Sequence, residues 1–87
     1  MDWSIEFDRG IEKSLSRLSS VNQRRILDFL DNCVASGDPR ARGKALQGPL
    51  SGLWCYRVGD YRILALIEDA RMTILVVEIS HRSQVYR

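Results

Sequence analysis

Two arginines are predicted to face each other across a tight hairpin turn. The dipeptide Gly59-Asp60 is a two-residue turn signal, and its first residue is the glycine that a type II′ turn prefers. Such a turn pairs Val58 with Tyr61. The next pair outward is then Arg57 and Arg62. Like charges directly opposite each other in a sheet are destabilising, by up to about 1 kcal/mol. An anion bound between the two guanidinium groups would relieve this repulsion, so the pair favours an anion-binding site.

The last strand is predicted to end beside this turn. We expect the second hairpin to turn near Asp69-Ala70, which sets Ile67 against Met72. The same register sets Arg62 against Val77. The chain that leaves the last strand then emerges next to the first turn, where four side chains are expected to converge. They are Arg57, Arg62, His81 and Arg82.

These residue types fit metal-free cleavage of an RNA phosphodiester. That reaction needs a group that deprotonates the ribose 2′-hydroxyl, cations that stabilise the charged phosphorane, and an acid near the leaving 5′-oxygen. Arginine supplies fixed positive charge and bidentate phosphate contacts but does not readily act as a base. Histidine is the side chain that titrates near neutrality, and the sequence holds one, His81. Tyr86 follows Arg82 by four residues, so one helical turn returns it to the same side, where it could stack on a base.

A second group of basic residues precedes the hairpin. Residues 40–62 contain five basic side chains against the single acid Asp60, whereas the whole chain carries 13 Lys and Arg against 11 Asp and Glu, a net charge of +2. Two basic groups, one on a loop and one on a sheet face, resemble a phosphate-binding surface, while a solvated charged face is the plainer alternative. The loop residues that we assign to RNA or ribosome contacts are Arg40, Arg42 and Lys44.

The first half of the chain has the pattern of one strand and two helices. Alternating apolar residues predict a strand near residues 3–7. Asp8 is predicted to cap the first helix, whose apolar face runs to Leu18. Ser19 or Ser20 would cap the second helix.

The second half has the pattern of a three-stranded meander. Its strands are expected near residues 53–58, 61–67 and 72–79. Trp54 and Tyr56 are expected to pack under the helices. The order of strand, helix, helix and three strands fits an α+β fold in which two helices pack on one face of a mainly antiparallel sheet. At this length we expect a single domain spanning residues 1–87.

Composition argues against several other classes of protein. One histidine and two cysteines, without paired-ligand spacing, predict no metal site, and no motif requires a cofactor. Two isolated cysteines are too few for a disulfide framework, and they indicate free thiols in a reducing compartment. No apolar run approaches the roughly 20 residues of a membrane span. The first residues lack the basic segment that is typical of a secretory signal. We therefore expect a cytoplasmic protein without membrane contacts.

The sequence resembles the RelE/ParE superfamily of bacterial and archaeal toxins, and specifically its RelE branch. The resemblance is carried by residues 44–48 (KALQG), 52–63 (GLWCYRVGDYRI) and 76–86 (VVEISHRSQVY). It implies the same order of strands and helices over essentially the whole chain. It also implies a toxin that enters the ribosomal A site and cuts mRNA through the ribose 2′-hydroxyl, leaving a 2′,3′-cyclic phosphate and a 5′-hydroxyl.

The resemblance also implies partners and residue roles. The toxin would have a cognate antitoxin that covers its basic site, and the two proteins together would bind operator DNA. By position, Arg62 matches the family's phosphate-stabilising arginine, and Arg82 matches an arginine proposed as phosphate stabiliser or general acid. Tyr86 matches the tyrosine that positions the nucleotide. Lys44 matches a basic position in the loop before the second strand.

One part of the family pattern is missing, and two alternatives stay open. Well-studied relatives carry lysines on the strand where this sequence has Cys55 and Arg57, so we take His81 as the substitute proton acceptor. ParE-like toxins share the fold but inhibit DNA gyrase and lack the nucleolytic set. The residues that favour the ribonuclease here are Arg62, Arg82 and Tyr86. A non-catalytic module that binds RNA or an antitoxin is the third possibility, because the lysines are absent.

Overall fold

The computed structural model describes residues 2–85, and its elements follow the predicted order with one short strand and one short last helix added. The strands are β1 (Ser4–Phe7), β2 (Lys44–Ala45), β3 (Trp54–Val58), β4 (Tyr61–Glu68) and β5 (Thr73–His81). The helices are α1 (Ile11–Ser16), α2 (Ser20–Ala35) and α3 (Arg82–Val85), with 3₁₀ turns at Gly48–Leu50 and Asp69–Arg71.

The five strands form one mixed sheet in the order β1-β5-β4-β3-β2. β1 runs parallel to β5, and the other neighbours are antiparallel. Residues of α1 and α2 pack with the strands in one core, so the predicted α+β fold is confirmed. The short strand β2 was not predicted. Lys44 pairs with Cys55 at the edge of the sheet, where we expected a loop.

The second helix begins as predicted and the first does not. Ser19 caps α2, because its hydroxyl accepts a hydrogen bond of 3.2 Å from the backbone N–H three residues later. The prediction that Asp8 caps α1 is wrong. The capping position is held by Gly10, whose φ of 88° is a left-handed conformation that glycine adopts without strain. α1 also ends at Ser16, so Leu18 lies in the connection between the helices.

The core lies between the two helices and the sheet. The largest fully buried side chains are Ile26, Leu30, Tyr56, Ile63, Ile74 and Val76. Tyr56 is completely buried and Trp54 packs against the same cluster, so both predicted core positions are confirmed. Burial raises the pKa of the Tyr56 hydroxyl well above its usual range, and this hydroxyl donates a hydrogen bond to the carbonyl of Pro39. The loop after α2 is thereby tied to the core.

Alternation along the strands divides the sheet into two faces. Tyr56, Ile63 and Ala65 belong to the core beneath the helices, so their neighbours along β3 and β4 point the other way. We call this second side the outer face. β3 and β4 contribute to it the side chains of Cys55, Arg57, Arg62, Leu64, Leu66 and Glu68. The outer face therefore carries both opposed arginines.

The first hairpin has the predicted register and the second does not. Arg57 lies directly opposite Arg62, as the two-residue turn requires. On β5, however, Arg62 lies opposite Ser80 rather than Val77. The error matters for the candidate site, because it changes which residues of β5 share a face with Arg62.

Two local features of the second hairpin produce this difference. The turn lies one residue further along than expected, because the 3₁₀ turn Asp69–Arg71 is followed by Met72 in a left-handed conformation with a φ of 48°. Ile67 therefore pairs with Ile74. A β-bulge on β5 then inserts Val77 as an extra residue. Because side chains alternate with a period of two, the extra residue exchanges the faces of all the residues that follow it.

Candidate functional site

The opposed arginines lie on the outer face, at the end of the sheet that carries the Gly59-Asp60 turn. Arg57 is exposed, and the side chain of Arg62 is 22% exposed. The Nη2 atom of Arg62 lies 3.9 Å from Oε2 of Glu78 on β5, which is an ion pair but too long for a hydrogen bond. Among residues 2–85, the buried Nε of Arg62 has no hydrogen-bond partner. The guanidinium group of Arg62 therefore retains the capacity to bind a ligand.

Ser80 lies directly opposite Arg62 on β5. Its hydroxyl oxygen is also buried and, within the described part of the chain, has no hydrogen-bond partner. Buried polar groups are normally hydrogen-bonded, so two unpaired polar atoms on facing residues set this position apart. The sequence does not reveal Ser80 or Glu78 as site residues, because the predicted register turned both of them towards the helices.

His81 lies on the other side of the sheet from Arg62. It pairs with Tyr61, and the two rings meet edge to face with their centroids 5.2 Å apart. Tyr61 packs against the core on the helix side, and Nδ1 of His81 lies 2.8 Å from the hydroxyl of Ser83. The bulge at Val77 is the physical reason, because it shifts the alternation by one residue. The structure thus does not bring His81 onto the face of the opposed arginines.

Arg82 lies at the end of the sheet where it was expected. Its backbone N–H donates a hydrogen bond of 2.8 Å to the carbonyl of Asp60, which holds the start of α3 on the hairpin turn. Its exposed guanidinium group lies 3.9 Å from the Asp60 carboxylate. We call this end of the sheet the cationic end, defined by Arg57, Arg62 and Arg82. Tyr86, the predicted nucleotide-positioning residue, lies outside the described residues.

A cleft at the edge of β3 extends the cationic end. It has a volume of about 430 Å³, and its lining includes Arg42, Lys44 and Arg57. The guanidinium carbon of Arg42 lies 5.4 Å from the centroid of the Phe29 ring, a cation–π contact. Gly43 passes so close to β3 that a Cβ atom would lie 2.4 Å from a backbone oxygen, so the approach requires glycine. The structure thus brings Arg42 and Lys44 next to Arg57.

Arg40 does not belong to this basic surface. Its guanidinium group donates two hydrogen bonds of 2.9 Å to the carboxylate of Asp69, in the turn between β4 and β5. These hydrogen bonds hold the pKa of Asp69 below its usual range. Because this turn and the Gly59-Asp60 turn lie at opposite ends of β4, the structure separates Arg40 from Arg57 and Arg62.

The cationic end thus offers three guanidinium groups, the hydroxyl of Ser80 and the carboxylates of Glu78 and Asp60, on or beside the outer face. Cys33 and Cys55 are both free thiols and both buried. Within residues 2–85, no group of three or more His, Cys, Asp or Glu side chains is arranged to hold a metal ion. Over the same part of the chain, no helix is long and apolar enough to cross a membrane.

Known toxins match both the sequence and the fold of this chain. Residues 5–86 match the family model described as ParE toxin of type II toxin–antitoxin system, parDE. Toxin RelG of Mycobacterium tuberculosis is 28% identical over 87 residues, which cover 100% of this chain and 99% of the relative. Toxin RelE of the same organism is 38% identical over 75 residues, which cover 86% of this chain and 76% of the relative.

Solved structures agree with these matches. The toxin–antitoxin complex RelBE2 from Mycobacterium tuberculosis superposes with a TM-score of 0.82 at 25% identity, over 95% of this chain and 94% of that chain. The isolated E. coli RelE toxin has the same fold, with a TM-score of 0.75 at 21% identity over 97% of this chain and 90% of that chain. The chain therefore belongs to the RelE/ParE toxin superfamily, and it is a RelE-family toxin of a type II toxin–antitoxin system.

Proposed function

We propose that this toxin is a cytoplasmic mRNA interferase, a metal-independent endoribonuclease that inhibits translation by cutting mRNA in the A site of the ribosome. The observation that carries the proposal is the Arg57–Arg62 pair on the outer face. Two like charges in directly opposite positions reduce stability unless an anion neutralises them. A phosphodiester is such an anion, and the exposed guanidinium group of Arg82 at the same end supports its binding.

Each arginine has a role that follows from its location. The 2′-oxygen attacks the phosphorus, the bond to the 5′-oxygen breaks, and a 2′,3′-cyclic phosphate and a 5′-hydroxyl result. Arg62 is held by the sheet, so its guanidinium group stabilises the charge on the phosphorane without having to reorganise. Arg57 binds the same phosphate from the neighbouring strand. Arg82 contacts the phosphate, and Tyr86 positions the nucleotide.

The basic cleft beside β3 would bind the part of the RNA chain that leads away from the reacting phosphate. Arg42 and Lys44 line this cleft together with Arg57, so a path of positive charge runs from the cleft to the opposed arginines. Contacts to phosphates set the position of an RNA chain without reading its sequence. We therefore assign Arg42 and Lys44 to neighbouring mRNA phosphates or to ribosomal RNA.

A cognate antitoxin is the proposed resting partner. Solved relatives include the RelBE2 toxin–antitoxin complex of Mycobacterium tuberculosis and the RelE–RelB complex of Pyrococcus horikoshii. We propose that the antitoxin covers the cationic end, where acidic side chains would complement the three arginines. Operator DNA is then a partner of the toxin–antitoxin complex and not of the toxin alone.

Mapping of mRNA 5′ ends on ribosomes programmed with a defined message tests the ribonuclease. We expect the parent protein to create new 5′ ends within the A-site codon. Arg82→Ala should reduce them by about 100-fold or more, because it removes a cation from the transition state. Arg24→Ala, which removes an exposed arginine from α2 on the helix side, should cut as the parent does. Equal cutting by the Arg82 variant, or no A-site cut by the parent, contradicts the proposal.

Inhibition of DNA gyrase is the second candidate function. The matching family model bears the name of the ParE toxin, and ParE-like toxins share this fold. Supercoiling of a relaxed plasmid by gyrase, measured with and without the toxin, separates the two functions. Under the ribonuclease proposal supercoiling is unchanged, whereas inhibition of gyrase without A-site cleavage favours the alternative. Ribosome binding with neither activity would indicate a non-catalytic binding module.

A further inference from the structure

The proposed cleavage needs a proton acceptor on the outer face. The attacking 2′-hydroxyl must lose its proton as the new bond to phosphorus forms, and a positioned base speeds this transfer. Arginine stays protonated in proteins and so does not readily act as this base. His81 is directed to the helix side, where its ring packs against Tyr61. Among residues 2–85, we therefore expect the base to be another residue near Arg62.

Glu78 has the required location. It lies on β5 after the bulge, on the outer face, and its Oε2 atom is 3.9 Å from Nη2 of Arg62. The Glu78 side chain is 51% exposed, so a substrate can reach the carboxylate. A phosphate held by Arg62 would bring the adjacent ribose within reach of this carboxylate.

Other carboxylates around the outer face are worse placed for this role. Glu6 and Glu68 lie at the far end of the sheet, where both accept hydrogen bonds from Arg71. Asp60 lies on the hairpin turn, where its carboxylate is 3.9 Å from Arg82. Asp60 therefore borders the cationic end but does not contact Arg62, and it serves as the rival residue in the test.

We infer that Glu78 is the general base of the proposed ribonuclease, an assignment that rests on that proposed function. The Glu78 carboxylate takes the proton of the 2′-hydroxyl, and the 2′-oxygen forms its bond to phosphorus. The bond between phosphorus and the 5′-oxygen breaks, and the departing oxygen takes a proton from water. Glu78 then returns its proton to solvent. Arg62 binds the phosphate and keeps the carboxylate beside it.

The test compares Glu78→Gln with Glu68→Gln in single-turnover cleavage on programmed ribosomes, both at about pH 7. Glutamine keeps the size and hydrogen bonding of glutamate but cannot accept the proton. We expect Glu78→Gln to cut about 100-fold more slowly than the parent, because it removes the proton acceptor. Glu68→Gln changes a carboxylate on the same face at the far end, and should match the parent. A cooperative thermal unfolding transition in each variant will show that both variants fold.

Three results would overturn the assignment, and they can be told apart. If Glu78→Gln cuts as fast as the parent or faster, Glu78 only neutralises Arg62. If Asp60→Asn cuts about 100-fold more slowly and Glu78→Gln cuts as the parent does, the base is Asp60. If the parent makes no A-site cut, the ribonuclease proposal fails as well, whereas the first two results leave it standing.

Discussion

The arginines at the two ends of the outer face differ in how closely they pair with carboxylates. At the far end, which we call the paired end, Arg71 donates hydrogen bonds of 2.6 Å to Glu68 and of 2.9 Å and 3.0 Å to Glu6. At the cationic end, Arg62 and Arg82 each lie 3.9 Å from a carboxylate. One sheet face therefore carries an arginine with short hydrogen bonds to carboxylates, Arg71, and two arginines whose ion pairs are longer, Arg62 and Arg82.

The difference indicates which charges serve the fold and which serve a ligand. Arg71 joins β1 to the turn after β4, so its ion pairs connect separate parts of the chain. Arg62 faces Arg57 instead, and its buried Nε has no hydrogen-bond partner among residues 2–85. A polar group left in that state has a cost in stability that a bound phosphate can offset. The two ends therefore differ in the partners of their arginines.

Removing one arginine from each end should give the largest contrast. Arg62→Ala should lower A-site cleavage by about 1000-fold, because it removes the best-anchored cation from the developing negative charge. Arg71→Ala should leave cleavage unchanged, since Arg71 lies at the paired end. Primer extension on programmed ribosomes measures both variants. Similar losses in the two variants would mean that the ends do not differ in function.

The first hairpin shows how far the sequence can predict such a site. A two-residue turn permits a single register, so the opposition of Arg57 and Arg62 followed from Gly59-Asp60 alone. The second hairpin contains two features without a sequence signal. Met72 adopts a left-handed conformation that residues other than glycine rarely take, and Val77 forms a bulge although it resembles any other strand valine.

The bulge decided which side chains of β5 could be assigned to the site. A regular strand would have put His81 on the outer face, whereas the extra residue puts Glu78 and Ser80 there. The pairing of Arg40 with Asp69 could not be predicted either, because the two residues lie 29 positions apart in the sequence. Residue types and the two-residue turn could thus be predicted from the sequence, whereas the second turn, the bulge and pairings that depend on tertiary structure could not.

Neutralising Arg57 should raise stability, and neutralising Arg71 should lower it. Arg57→Gln removes one of two like charges in directly opposite positions, so we expect the free energy of unfolding to rise by about 0.5 kcal/mol. Arg71→Gln removes ion pairs to two carboxylates, so its melting temperature should fall. Urea unfolding and thermal melting at low salt measure these changes.

Salt provides the control for these opposite shifts. Added salt screens exposed charges, so both differences from the parent should shrink as the ionic strength rises. If Arg57→Gln is less stable than the parent at low salt, the opposed arginines do not repel each other in the folded protein.

The smallest expected effect is a change in the titration of Asp69. The hydrogen bonds from Arg40 hold the pKa of Asp69 below its usual range. The pair therefore stabilises the fold above the pKa of the unfolded chain, near 3.9, and this contribution is lost as the pH falls through the lower folded value. Arg40→Gln should return the pKa of Asp69 towards its usual range, as followed by NMR of the carboxyl carbon.

The same variant tests whether Arg40 contacts RNA. The sequence groups Arg40 with Arg42 and Lys44, whereas the structure holds its guanidinium group on Asp69. We therefore expect Arg40→Gln to cut mRNA as the parent does while Lys44→Ala cuts more slowly. If Arg40→Gln loses cleavage to the same extent as Lys44→Ala, Arg40 must leave Asp69 to bind the substrate. Arg40 would then be one of the ligand-binding arginines, although its hydrogen bonds to Asp69 are short.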